Sequence, residues 1–189
     1  MEKKHVIAIL GMPGSGKTEA IEYLIAVYHL PKVYFGKVTF DEMQRRGLPI
    51  NAANERSVRE ELREIHGEDY YANEIIKMID QSEEGESILV ESLYSWTEFQ
   101  VLKRHFGDRL HTVAIYASPT LRHHRLTTRP VRPLTKEEAE HRDASQIVRL
   151  EQGGPIAVAD FLVQNEGSLS EMTEKLDAIM KELELPKSL

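Results

Sequence analysis

An α/β fold built on a parallel sheet is what this 189-residue chain predicts, and three observations carry that expectation. Residues 6–10, Val-Ile-Ala-Ile-Leu, form a short apolar run that reads as a buried strand. A glycine-rich turn at residues 11–18 leads from it into residues 19–28, where Ala20, Ile21, Leu24, Ile25 and Tyr28 recur at helical spacing. Further short apolar runs then alternate with helical stretches, the pattern of parallel strands joined by helical crossovers.

The elements follow in order. Residues 30–35 predict a second strand ended by Gly36. Thr39 with Glu42 has the spacing of a capping box and predicts a helix closing near Arg46-Gly47. Residues 54–66 predict a helix capped at Asn54, with Val58, Leu62 and Ile65 inward and Gly67 as its stop. Residues 69–82 predict another, with Ala72, Ile75, Ile76 and Ile79 inward. Residues 37–85 are thus a helical excursion longer than an ordinary crossover, and a substrate-binding insert is expected there. Residues 87–92 predict the third strand, 96–106 a helix with Phe99, Leu102 and Phe106 on its apolar side, and 111–117 the fourth strand. Ser118-Pro119 opens the next helix, proline being favoured at a first helical position. Thr135 with Glu138 starts a helix running to about Glu151, which Gly153-Gly154-Pro155 is expected to end. Residues 159–164 predict the fifth strand, with Asp160 bonded to a neighbouring loop and Asn165-Glu-Gly167 as a turn. Residues 168–183 predict an amphipathic helix with a Ser168/Glu171 box and Leu169, Met172, Leu176, Ile179, Met180 and Leu183 on its buried side.

Composition narrows the function classes. The formal net charge of −7 disfavours a nucleic-acid binder working through bulk positive charge. There are no cysteines, which excludes disulfides and thiolate metal sites. No apolar run has membrane-spanning length, and Met-Glu-Lys-Lys-His leads straight into the first strand with no secretory leader, so a cytoplasmic location is expected.

The turn at 11–18 carries the strongest chemistry. It has the full G-x-x-x-x-G-K-[ST] spacing between a strand and a helix. Backbone N–H groups of such a turn cradle phosphate oxygens, aided by the positive end of the following helix. Gly11, Gly14 and Gly16 permit the tight path, and Pro13 and Ser15 complete the cradle. Lys17 is expected on the β and γ phosphates, and Thr18 on Mg²⁺. Residues 122–145 form a second, basic constellation with Arg122, Arg125, Arg129, Arg132, Lys136 and Arg142, broken by two prolines. Such a lid suits phosphoryl transfer, which needs charge neutralisation more than covalent help. Glu91, at the end of the third strand, is expected to hold the Mg²⁺ water shell or polarise an attacking group. Lys37, Asp41, Arg45, Arg46, Arg59 and Arg63 are the candidates on the substrate side. His123, His124 and His141 lack metal-ligand spacing.

The ordered series Gly11–Thr18, Gly36 with Arg45-Arg-Gly-Leu48, the strand ending at Glu91, Tyr116-Ala-Ser-Pro119, Leu121-Arg122, Arg142-Asp143, Ala159-Asp160 and Asn165-Glu-Gly-Ser-Leu169 resembles the small nucleotide kinases of the P-loop superfamily. The resemblance spans nearly the whole chain and is strongest to a largely archaeal family related to adenylate kinase and dephospho-CoA kinase. It implies a P-loop NTPase three-layer sandwich forming a single domain. The implied sheet has five parallel strands in the order 2-3-1-4-5, with an acceptor-binding helical insert and an arginine-rich lid. Asn165, Glu166 and Gly167 would lie near the donor adenine, and Arg122 and Arg129 on donor phosphates. The resemblance also marks departures: Lys37 where relatives have aspartate, and Phe40 and Tyr94 where they have arginines.

The implied activity is ATP- and Mg²⁺-dependent phosphoryl transfer to a small acceptor, catalysed by Lys17, Glu91, Arg122, Arg129 and Asp41. The implied partners are the nucleotide and a small phosphate-bearing acceptor, with a homodimer allowed and membrane or nucleic acid disfavoured. The altered acceptor side keeps an alternative open, an ATP-binding regulatory protein or slow ATPase without the transfer step.

Overall fold

The computed structural model describes residues 5–82 and 87–188, with the side chain of residue 52 left out. Residues 1–4 and the insert's end at 83–85 lie outside the described residues. The sheet is built on β1 (Val6–Leu10), every residue of which is buried. Around it lie β2 (Lys32–Tyr34), β3 (Ile88–Glu91), β4 (Leu110–Tyr116) and β5 (Phe161–Gln164), in the order β2-β3-β1-β4-β5. All four pairings are parallel, and β1 is central, with Ile9 opposite both Glu91 and Val113.

Alternation along the strands creates two cores. Ile7 and Ile9 join Leu89, Val113, Ile115 and Val163 under α1 (Lys17–Tyr28) and α9 (Leu169–Glu182). Val6, Ala8 and Leu10 join Ile88, Val90 and Ala114 on the other face. That face is covered by α2 (Phe35–Arg45), α3 (Ala52–His66), α4 (Tyr70–Asp80) and α5 (Trp96–Phe106). Helices on both faces bury both sides of a parallel sheet, so the sandwich has three layers. Next to the carboxyl ends of the strands run α6 (Pro119–Thr128), α7 (Lys136–Leu150) and the short α8 (Gly153–Ala157).

The sheet order, the excursion of α2, α3 and α4, and the arginine-rich segment agree with expectation. Several local details do not. Gly36 lies inside α2, because that helix starts at Phe35, and Phe35 and Val38 are core residues. A Cβ at Gly36 would stand 2.3 Å from the Tyr34 ring, so contact with that ring, rather than a strand stop, explains the glycine. Thr39 is therefore buried mid-helix, bonded to the Tyr71 hydroxyl at 2.7 Å, and caps nothing. Asn51, not Asn54, caps α3, its side chain accepting the Asn54 N–H. Ile65 is exposed, since the last turn of α3 meets α4 through His66 stacked on Tyr70. Leu169 is exposed at the first turn of α9, where the core contact begins only at Met172. Gly153-Gly154-Pro155 opens α8 instead of ending a helix, and a Cβ at Gly154 would stand 2.9 Å from Trp96. Asp160 bonds a strand, not a loop: its carboxylate takes the N–H and hydroxyl of Thr112 on β4.

A buried carboxylate ties the insert to α5. Glu98 completes a capping box with Ser95 at the start of α5 and accepts from Arg63 of α3 at 2.9 Å. Arg63 also stacks over the Tyr71 ring, 5.1 Å from its centre.

At the opposite, amino-terminal end of the sheet, His5 Nδ1 and His111 Nε2 share a 2.8 Å hydrogen bond. Burial, then the facing His5 ring and Lys103, lower the His111 pKa below its usual 6.5, against opposing pulls from Asp160 and Asp108. A histidine whose pKa is depressed by folding binds protons more readily when unfolded. Its contribution is complete above pH 6.5 and is lost as pH falls through the folded value. Denaturant unfolding from pH 7.5 to 5 should show falling stability, and His111→Gln should flatten that profile.

Candidate functional site

The glycine-rich turn becomes a rigid frame because side chains from distant segments hold its carbonyl oxygens. Gly11 O accepts from Lys17 Nζ at 2.7 Å and from Gln152 Nε2 at 3.0 Å. Met12 O accepts from Lys17 Nζ at 3.1 Å, and Pro13 O from Arg122 Nη1 at 3.0 Å. Gly14 O and Ser15 O lie 3.4 Å from Arg125 Nη1, and Ser15 O also accepts from Asn165 Nδ2 at 2.8 Å. Five consecutive carbonyls thus have side-chain donors. The first turn of α1, beginning at Lys17 behind Gly16, has no side-chain cap, so its N–H groups and dipole are available to an anion.

Two glycines are forced by this frame. Gly11 has φ 145° and a Cβ there would stand 2.4 Å from Ile115 O. Gly16 has φ 101° and a Cβ would stand 2.2 Å from Asn165 Nδ2.

Beside the turn lies a cavity of about 160 Å³. Pro13, Gly14, Lys17 and Thr18 form one wall, Glu91, Ser92 and Tyr94 another, and Arg129 and Arg142 a third. Burial, then the charges of Arg142 and Arg122, lower the Lys17 pKa to about 8 from 10.5. A cluster of cations around a desolvated ammonium is a site arranged for a polyanion, whose charge would reverse that shift. Thr18 is exposed there and its hydroxyl makes no hydrogen bond among the described residues. Glu91 is on the same cavity, ion-paired with Lys32 at 2.6 Å.

This geometry agrees with what the chain is similar to. The AAA domain family matches residues 7–148. A UPF0200 protein of Thermococcus sibiricus is 30% identical over 186 residues, covering 96% of this chain and 97% of the relative. A UPF0200 protein of Methanocaldococcus jannaschii is 33% identical over 181 residues, covering 94% of this chain and 90% of the relative. The chain belongs to the UPF0200 family. Its fold is that of the P-loop NTPase superfamily in a kinase-like form. TT1252 from Thermus thermophilus superposes with a TM-score of 0.68 at 18% identity, over 96% of this chain and 99% of that one. A gluconokinase from Sinorhizobium meliloti 1021 gives 0.59 at 15% identity, over 97% and 98%. A shikimate kinase from Acinetobacter baumannii in complex with shikimate gives 0.58 at 14%, over 97% and 95%.

In this UPF0200 chain the sequence-predicted site residues divide into groups. Lys17, Thr18, Glu91, Arg129, Pro13 and Gly14 all line the cavity. Arg129 Nε is bonded to Arg132 O at 2.8 Å. Arg122 does not line the cavity. It is buried, with Nε on Ala117 O, Nη1 on Pro13 O, and both terminal nitrogens on the Asp143 carboxylate at 2.8 and 2.7 Å. Its position is behind the turn, where it fastens α6 and α7 to Pro13. His123 completes that knot at 3.0 Å from Asp143. Burial raises the Asp143 pKa, but the bonds from Arg122 and His123 outweigh it and hold the carboxyl below its usual range. Among the described residues no group of three acidic, histidine or cysteine side chains could hold a metal ion.

Asn165 braces Ser15, Gly167 packs against the Glu171 carboxylate, and Glu166 accepts the Ser118 N–H at 2.8 Å. Asp41 is outside the cavity wall, paired with Lys37 at 2.7 Å on the exposed side of α2. Arg45 and Arg46 pair with Glu42, Arg46 also with Glu61, and Arg63 with Glu98. Among the described residues of the insert, Arg59 has no ion pair, and its charge is felt by Tyr34 and Tyr71. Site residues that sequence reasoning missed are Gln152, Arg125 as a carbonyl donor, and Arg142 as a cavity residue. The Arg142-Asp143 pair was a usable signal for the last, since Asp143 fixes the helix that carries Arg142. No helix among the described residues is long and apolar enough to cross a membrane.

Proposed function

We propose that this chain transfers the γ-phosphate of Mg·ATP to a small acceptor, as a kinase of the adenylate kinase or dephospho-CoA kinase kind. The observation that carries the reading is the cationic cavity in which Lys17, Arg129 and Arg142 converge beside a turn whose carbonyls from Gly11 to Ser15 each have a side-chain donor. The turn and Lys17 bind the donor's β and γ phosphates. Arg129 and Arg142 neutralise charge on the transferred group. The 165–167 turn, braced against Ser15, supports the donor base. The Thr18 hydroxyl and Glu91 carboxylate are oxygen donors of the kind Mg²⁺ takes, and the bound ion would supply charge neutralisation at the phosphates. Thr18 fits with its uncommitted hydroxyl; Glu91 fits once Lys32 yields one oxygen.

The acceptor enters between the cavity's Ser92–Tyr94 edge and the insert of residues 37–85. Arg59, which has no ion pair among the described residues, grips its anionic group. Residues 122–145 serve as the lid, with Arg129 and Arg142 on the reacting centre while Arg122 and Asp143 stay fastened to Pro13. The acceptor oxygen forms a bond to Pγ as the bond from Pγ to the bridging oxygen of ADP breaks, and the acceptor proton passes to Glu91, which in that role would hold the ion only through its water shell. Asp41 is the second candidate for that base, after release from Lys37.

Acceptor-stimulated ADP formation tests the reading. Nucleoside monophosphates, dephospho-CoA and small phosphorylated and hydroxylated acceptors are offered with ATP and Mg²⁺. At least one should raise ADP release tenfold or more, and Arg59→Ala should raise the KM for that acceptor. ATP binding with no stimulation by any acceptor would favour the second reading, an ATP-binding regulatory protein or slow ATPase. That reading draws on the ion pairs that already occupy Lys37, Arg45, Arg46 and Arg63.

A further inference from the structure

We propose that Gln152 is a positioning residue that frees Lys17 for the donor phosphates, an inference that rests on the donor-site reading above. Gln152 lies between α7 and α8, follows the left-handed residue Glu151, and is 1% exposed. Its Nε2 reaches Gly11 O across 141 positions of sequence. Only a donor can face a carbonyl, so the carboxamide orientation is fixed.

Gly11 O has a second donor, Lys17 Nζ, which is also on Met12 O. To reach a phosphate Lys17 must give up at least one of these bonds. Gly11 is buried, and a buried carbonyl left without a donor is costly. With Gln152 in place, Gly11 O keeps a partner when Lys17 moves. Without it, the departure of Lys17 strips that oxygen bare. Gln152 therefore lowers the cost of nucleotide binding and does so equally in the ground and transition states, which is a KM effect.

The position is also anchored independently of the turn. The Gln152 N–H bonds Gln146 O at 3.2 Å near the end of α7, and Gly154 packs under Trp96 of α5. Gln152 thus links the helix carrying Arg142 to the first carbonyl of the phosphate turn.

The test is Gln152→Met, which keeps length and volume but removes the donor. It also removes Oε1, which is buried without a hydrogen-bond partner among the described residues, so folding should tolerate it. Calorimetric titration with Mg·ATP should show a dissociation constant raised about tenfold, the scale of one unsatisfied buried carbonyl. The KM for ATP should rise in step, while kcat changes by less than about threefold. Gln152→Glu, the second variant, puts an acceptor against Gly11 O and attracts Lys17, and should weaken binding at least as much. A merely structural role would lower the active fraction and leave the dissociation constant unchanged. An unchanged or lower dissociation constant in a folded variant overturns the inference while leaving the donor-site reading intact. No Mg·ATP binding by the wild-type protein overturns that reading first, and this inference with it.

Discussion

Lys17→Met should melt above the wild-type protein when no nucleotide is added. Burial and two neighbouring arginines hold the Lys17 pKa at about 8 instead of 10.5. The folded state thus binds this proton less tightly than the unfolded chain does. The cost of the charged ammonium is full below pH 8 and disappears as pH rises past 10.5. The shift corresponds to about 3 kcal/mol at neutral pH, to order of magnitude. Loss of the bond to Met12 O offsets part of it, since Gly11 O retains Gln152. A gain of about 3–8 °C in melting temperature is expected. Saturating Mg·ATP should reverse the ranking. The wild type gains about 2.7 kcal/mol at a hundred times its dissociation constant, and the variant gains nothing measurable. In the wild type, affinity should fall as pH rises through about 8, with proton uptake on binding in that range. Scanning calorimetry of both proteins with and without Mg·ATP checks the first part, and titration in buffers of different ionisation enthalpy checks the second. A variant that melts lower than the wild type would contradict the electrostatic account of Lys17.

Arg122→Ala should be the more damaging substitution. Arg122 is 5% exposed and donates to Ala117 O, Pro13 O and both oxygens of Asp143. Removing one partner of a buried pair costs about 3–5 kcal/mol because the other charge is left behind. The melting temperature should fall by about 10 °C. Arg122→Lys should rescue little, since an ammonium cannot fork across a carboxylate while holding Pro13 O. Asp143→Asn should cost less, and the double variant should fall short of the sum of the two single costs. Thermal melts without nucleotide separate this from a phosphate-binding role. If Arg122 acted only on the donor, Arg122→Ala would melt like the wild type and lose turnover alone.

These two residues show where the sequence was readable. Lys17 belongs to a local pattern whose spacing encodes its own geometry, strand then turn then helix. Arg122 belongs to a basic cluster legible as such, but its partners are Pro13, 109 positions earlier, and Asp143 on another helix. The charge was visible and its direction was not. The donors Gln152 and Asn165 act across 141 and 150 positions; a local pattern marked Asn165 for the donor base but not for Ser15 O, and none marked Gln152. The fold was legible further than the site because alternation and helical period are local. The bounds of α5 and the box at Thr135 came directly from spacing. Periodicity failed where a helix outruns its packing partner, as at Ile65 and Leu169, and where a glycine serves a ring contact, as at Gly36. On the insert, basic residues were legible as acceptor candidates, but nearly all are paired to carboxylates, and only the structure singles out Arg59.

The central claim is phosphoryl transfer, and the fate of a labelled γ-phosphate tests it most directly. The protein is incubated with Mg²⁺, γ-labelled ATP and the acceptor that most stimulates ADP release, and the products are separated. Label should appear on the acceptor in amounts equal to the ADP formed, and Lys17→Met should abolish it. Label appearing only as inorganic phosphate, at a rate indifferent to every acceptor, would contradict the claim.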